Sequence, residues 1–368
     1  MTVADFAHIL EQWAPRWIAW ERDNVGLQVG ERGRVLRRIH LCLDVTKTVV
    51  EEAVRKKADL IFSHHPLLFR RPASITDSDE VGNLILLLAR KNIAVYSAHT
   101  NLDFTRGGVS FALADVLGLE NVRFLSPLKD LLVKIAVFVP DSHLDAVLDA
   151  MADAGAGTIG EYSHCSFQLR GKGTFRGSEA TNPFLGRAGV LETAEETRLE
   201  MILPRARVPT VVGAMKGAHP YEEVAYDVYA LENESTEYGA GAIGELPSPV
   251  RLGSFLKKSK EALSAESFRF SGEKNSKVRR VAVCGGSGSD LLPAAMQAEA
   301  DVFVTADIRY HTYHDAQGRI SLVDAGHWET EQIILPVVAR RLREEFKNRG
   351  EQIEISQTSL RTSPIHSY

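Results

Sequence analysis

The chain has 368 residues, a hydrophobic fraction of 44%, a charged fraction of 25% and a net charge of −5. That length exceeds one ordinary core and predicts two or more domains of a soluble globular protein. The negative balance gives no reason to expect a general nucleic-acid binder, and no apolar run approaches the roughly 20 residues needed to span a bilayer.

The opening MTVADFAHILEQWAP lacks a basic start followed by an apolar stretch, so it does not read as a signal peptide. Residues 5–13 read instead as a short amphipathic helix ended by Pro15. A loop, WERDNVGLQVG (20–30), follows. RIHLCLD (38–44) reads as a buried strand and 47–57 as the helix after it. DLIFS (59–63) is the next strand, 81–91 the next helix and 93–97 another strand. Residues 109–117 form a helix closed by Gly118 at its C-cap. Short apolar strands alternating with helices predict an α/β fold with a parallel sheet covered on both faces.

The pattern changes after Pro127. Residues 132–139 read as a strand and 141–154 as a helix that Asp141 or Ser142 would cap. Strands are expected at 163–169 and 171–176 around Gly171, then at 192–203 and 225–231, with a helix over 207–216. This strand-helix-strand-strand-helix-strand order is the split-βαβ arrangement, so residues 129–236 read as an inserted small α+β domain.

From about residue 279 the first style resumes. A strand over 281–284 leads into CGGSGSD (284–290), a helix over 290–298 and the strand 302–305. A further strand over 322–324 and a long helix over 329–349 complete the series, and the polar end is expected to cap the sheet edge. Cys42, Cys165 and Cys284 are odd in number and far apart, which predicts buried free thiols in a reducing cytoplasm. Imidazole and carboxylate are then the donors left for any metal.

Those donors gather at strand ends. His64 and His65 follow DLIFS directly and precede Pro66, which extends the turn so that both rings can face a crevice above the sheet. The plainer alternative is a pair of surface loop histidines. SAHTNLD (97–103) offers Asp103 and His99 one strand later, with His99 either a ligand or a group that holds one; Asp103 alone would read as a helix cap. DAGHWETE (324–331) sets His327 and Glu331 four apart where a helix starts, on one helical face. An ordinary acidic helix N-terminus is the alternative there. ADIRYHTYH (306–314) adds Asp307 and His311, whose expected role is support of the ligands or contact with substrate. CGGSGSD suits either a phosphate cradle or a tight strand-to-helix turn. His219 with Glu222 and Glu223 reads as a turn rather than a metal site. Together these donors could serve one divalent ion or two.

WERDNVGLQVG, DLIFSHHP, SAHTNLD, CGGSGSD, DVFVTADIRYH and DAGHWETE occur in an order that resembles the NGG-interacting-factor-like dinuclear metal family, also labelled GTP cyclohydrolase I type 2-like. The resemblance covers about residues 5–125 and 250–360. It implies two similar α/β lobes, 1–128 and 237–368, forming one metal-binding core, with a PII/CutA-like domain inserted at 129–236. It also implies that His64, His65, Asp103, His327 and Glu331 bind two divalent ions, with Zn²⁺, Mn²⁺, Fe²⁺ and Ni²⁺ all compatible with the donor set. The activity implied is metal-dependent hydrolysis of a nucleotide or other phosphorylated small molecule, within a toroidal homohexamer. The alternative is a non-enzymatic regulatory or scaffold protein with a small-molecule effector. No catalytic side chain is assigned by the resemblance.

Overall fold

A computed structural model describes residues 1–70 and 72–366. The chain divides into two compact units, one made of Met1–Pro127 with Thr236–Tyr368 and the other of Leu128–Ser235.

The first unit is built on two sheets. One runs in the spatial order Gly26–Val29, Ala94–Ser97, Leu60–Ser63, Arg38–Cys42, Glu354–Gln357. The last four strands are parallel, and Gly26–Val29 joins antiparallel at the edge. The other sheet runs Arg269–Ser271, Ser321–Asp324, Val302–Thr305, Lys277–Val283, Gly239–Arg251, Glu120–Pro127. Its three middle strands are parallel, and the flanking ones are antiparallel. The expectation of a purely parallel sheet is therefore corrected: each is mixed, with parallel strands where crossover helices return the chain and antiparallel strands at the margins.

Alternation along the strands explains the layers. In the first sheet Ile39, Leu41, Leu60, Phe62, Ala94 and Tyr96 face the largest core. Cys42, Ile61 and Val95 face a smaller one under the helices Lys47–Arg55 and Glu80–Lys91. In the second sheet Val281, Val283, Val302, Val304 and Val323 enter that same large core, while Ala282, Phe303 and Leu322 face the other way. Helices Val3–Trp13, Val109–Val116, Leu252–Ala262 and Ile334–Asn348 supply the rest of the shared core.

Three local readings change. The loop at 20–30 contains the strand Gly26–Val29. The long helix is two helices, His327–Glu331 and Ile334–Asn348. Pro336 has no N–H to give the Gln332 carbonyl, so the first helix cannot run on. The terminal residues 354–357 add an edge strand rather than only covering one.

The second unit has the antiparallel sheet order Ser166–Phe175, Glu192–Pro204, Leu132–Val139, Tyr226–Ala230. Its helices Leu144–Asp153 and Val208–Ala218 pack Val147, Met151, Val211 and Met215 onto Val133, Ile135, Val137, Leu199 and Met201. Gly171 lies within one continuous strand rather than between two. Asp141 does not cap the helix; its carboxylate accepts from Thr197 Oγ1 at 2.6 Å. No helix among the described residues is long and apolar enough to cross a membrane.

Candidate metal centre

Parallel strands deliver side chains at their C-terminal ends, and the first unit uses both of its sheets this way. Asp44 follows Arg38–Cys42, His64 and His65 follow Leu60–Ser63, and His99 follows Ala94–Ser97. From the second sheet, Asp307 follows Val302–Thr305 and His327 follows Ser321–Asp324. The His64 and His65 amides continue the ladder onto the carbonyls of Cys42 and Leu43, which fixes the backbone under both rings.

The structure brings His64, His65, His99, Asp103, His327 and Glu331 together. His64 Nε2 lies 3.6 Å from Asp103 Oδ1 and 3.7 Å from Glu331 Oε1. Glu331 Oε2 lies 2.9 Å from His65 Nε2 and 3.2 Å from His327 Nε2. The His65 ring is 5.0 Å from that of His64, 5.5 Å from His99 and 5.4 Å from His327. Two overlapping groups have donor atoms close enough to hold an ion: His64, His65 and His99, and His65, His327 and Glu331.

Each imidazole is held through Nδ1, which aims Nε2 inward. His64 Nδ1 donates to the Ala98 carbonyl at 2.9 Å and His65 Nδ1 to Asp44 Oδ1 at 2.7 Å. His99 Nδ1 meets Asp23 at 3.0 Å, and His327 Nδ1 meets Asp307 at 2.6 Å. Such partners set the tautomer and the ring orientation of a ligating histidine. Asp23 is fixed in turn by the Thr100 hydroxyl and amide.

His64 Nε2 and Asp103 Oδ1 are buried, and neither has a hydrogen-bond partner. Leaving such atoms unpaired is costly unless something else satisfies them. Imidazole nitrogens and carboxylate oxygens facing one small space fit a divalent cation.

The charges agree with that fit. Burial opposes protonation of His65, but Asp44 and Glu331 carry its pKa to about 10. Burial likewise opposes charge on His327, and Asp307 and Glu331 raise it to about 11. Burial would push the Glu331 carboxyl up, yet His64, His327 and His65 hold it well below the usual carboxylate range. Asp103 shifts upward through burial, with Glu331 adding repulsion. Glu331 and the imidazoles around it thus favour one another's charged forms.

The glycine loop packs against the centre. Gly286 N–H donates to Thr330 Oγ1 and Gly288 N–H to Thr305 Oγ1, so these amides are already used. Gly286 has φ 60°, and a Cβ there would lie 2.1 Å from Glu331 Oε1. Glycine lets the loop lie directly on the Glu331 carboxylate.

Asp307 and His99 lie at the centre as partners described above, whereas His311 does not. It begins the short helix Tyr310–Ala316 on an exposed side, beside the rings of Tyr310 and His314. That helix buries only Ala316, so its histidines turn outward. His219 is used locally: Nε2 donates to the Phe138 carbonyl and Nδ1 accepts from Tyr221 N–H. Sequence reasoning passed over Asp44 and Asp23. Asp44 ends a strand beside the His64-His65 strand, and that adjacency was a usable signal; Asp23 sits in an irregular loop that gives none.

Comparison with known proteins places this geometry in a family. A model described as Duf34/NIF3 (NGG1p interacting factor 3) matches residues 1–364. The chain belongs to the Duf34/NIF3 family. It is 40% identical to a Halalkalibacterium halodurans protein named GTP cyclohydrolase 1 type 2 homolog, over 97% of this chain and 96% of that protein. A Bacillus subtilis protein of the same name is 39% identical, over 97% and 96%. Among solved structures, a Bacillus cereus protein related to NIF3 superposes with a TM-score of 0.84 at 38% identity, covering 100% of this chain and 99% of that one.

Proposed function

We infer that this protein binds two divalent metal ions through His64, His65, Asp103, His327 and Glu331 and uses them as a hydrolase of a nucleotide or other phosphorylated small molecule. The observation that carries the reading is the pair of buried, unpartnered atoms His64 Nε2 and Asp103 Oδ1, which face the Glu331 carboxylate. When bound, divalent ions supply Lewis acidity and an activated water. Glu331, within reach of His64, His65 and His327, would hold metal beside all three imidazoles. His99, fixed through Nδ1 by Asp23, presents Nε2 beside His64 and His65 as the contact for a substrate. The substrate class follows from the names of the curated relatives, which are GTP cyclohydrolase 1 type 2 homologs.

The same reading extends to the assembly. The antiparallel order of Leu128–Ser235 supports a PII/CutA-like insert, and the two sheets of the other unit support two lobes around one centre. The family resemblance supports a toroidal hexamer in the cytoplasm.

Elemental analysis of purified protein should find about two divalent ions per chain, and Glu331→Gln should lose most of them. Unchanged content in that variant would sink the assignment. A screen of GTP and other phosphorylated compounds with Mn²⁺, Zn²⁺ or Fe²⁺ should find turnover that disappears in His65→Ala. Light scattering tests the hexamer.

A further inference from the structure

We propose that the second unit holds its own binding site for a planar aromatic small molecule with a hydrogen-bond-acceptor edge, independent of the histidine centre. A cavity of about 590 Å³ lies within residues 138–225, inside the roughly 300–1,000 Å³ range of small-molecule sites.

Its floor is the sheet face opposite the two helices. Phe138, Arg198 and Leu169 form one cross-strand row there, and Glu196 with Gly171 forms the next. No side chain covers Gly171: a Cβ at that position would meet nothing within 4 Å. The bare backbone leaves an open patch in the floor. Phe175, Phe184 and Tyr221 stand around it, with Tyr221 6.4 Å from Phe175 and 6.1 Å from Phe184. Phe184 is 49% exposed, although a large ring is normally covered once its chain is folded.

The walls are fastened rather than loose. Asn182 N–H donates to the Glu222 carboxylate, Thr181 Oγ1 to the Ser178 carbonyl, and Gly189 N–H to the Gly177 carbonyl. The polar groups decide the edge chemistry. Tyr221 O–H occupies Glu196 at 2.9 Å, and Glu222 is taken by Asn182, which leaves these carboxylates committed. Arg198 lies over the Phe138 ring at 5.9 Å with its Nε 2.9 Å from Glu200 Oε1, a pairing that fixes the guanidinium and leaves its terminal N–H groups to donate to an acceptor. An aromatic ring bearing a sulfonate, carboxylate or carbonyl matches this lining.

Anilinonaphthalene sulfonate is a suitable probe, added to the full chain. Its fluorescence should rise saturably with one dye per chain. A Cβ at Gly171 meets nothing, so Gly171→Trp can direct its ring into the open space; it should weaken binding about tenfold or more, with a melting temperature near wild type showing that the fold is kept. Gly33→Trp, at an equally open glycine in the other unit, should leave binding unchanged. Phe184→Ala removes an exposed ring at small cost to folding and should also weaken the dye, which covers the case of a Gly171 variant that fails to fold. Wild type should prefer this dye to phenylnaphthylamine, which lacks the sulfonate, and Arg198→Gln should erase the preference. Absence of saturable binding, or binding that survives both Gly171→Trp and Phe184→Ala, overturns the site. A preference unchanged by Arg198→Gln overturns the acceptor edge.

Discussion

Asp307 accepts a hydrogen bond from His327 Nδ1 at 2.6 Å while its own backbone sits at φ 55°, a left-handed conformation rarely adopted outside glycine, asparagine and aspartate. Strain of this kind persists where the surroundings over-determine it. The contact fixes the tautomer that leaves His327 Nε2 free to face Glu331. Asp307→Asn should weaken metal affinity about 10–100-fold, the usual effect of removing such a partner. A competition titration with a chromogenic chelator reads it. An unchanged affinity would show that His327 needs no orientation.

Thr362 makes a second contact of this type. Its hydroxyl donates to Asp44 and accepts from the Trp328 indole at 3.2 Å, while Asp44 holds His65. Thr362→Val, one hydrogen bond further from the ligand, should lower metal affinity several-fold, less than the about 10–100-fold expected for a ligand's direct partner, and Thr362→Ser should restore it. The absorption spectrum of a Co²⁺-loaded protein separates a disturbed ligand from a general loss of stability, because only the former changes the band positions.

Gly286→Ala tests the closeness of the glycine loop. The new methyl would meet Glu331 Oε1 at 2.1 Å and His327 Nε2 at 3.1 Å in a backbone with φ 60°. We expect a loss of about 1–3 kcal/mol in denaturant unfolding from the backbone strain, together with reduced metal content. Retention of both would mean that the loop can retreat.

His40 predicts a pH dependence away from the centre. It is fully buried, with Nδ1 on Ser356 Oγ and Nε2 3.4 Å from Glu52. Burial lowers its pKa below the ordinary 6.5, and the Glu52 carboxylate only partly opposes this. The unfolded chain therefore binds this proton more readily than the folded one. Stability is unaffected above the unfolded value and falls as pH drops through about 6.5 toward the folded pKa. Melting temperatures measured from about pH 8 to about pH 5 should fall more steeply for wild type than for His40→Gln. Parallel curves would refute the shift.

Much of the first unit was legible because its parallel strands are short, apolar on both faces and end in polar groups. RIHLCLD, DLIFS and VFVT announce themselves this way, and they place His64, His65 and Asp307 at their ends. The margins were not legible. Gly239–Arg251 contains three glycines with Pro247 and Pro249, a composition that argues against a strand. The prolines fall between Glu245 and Val250, where the pairing to Lys277–Val283 shifts register, so no ladder amide is required of them. Gly26–Val29 is only four residues and is held by its edge pairing to Ala94–Ser97. His311 looked equivalent to Asp307 in sequence, and only the direction of the helix at Tyr310 separates them.

The centre joins side chains at positions 64, 65, 99 and 103 to others at 307, 327 and 331. A ribosome therefore releases the two adjacent histidines long before the carboxylate that faces them exists. On the proposed metal-binding reading, a nascent chain would offer an ion only weak, temporary capture, and tight binding would wait for the last strands to dock. Occupancy of such a centre would then report a finished molecule, and a truncated product would carry histidines without a grip.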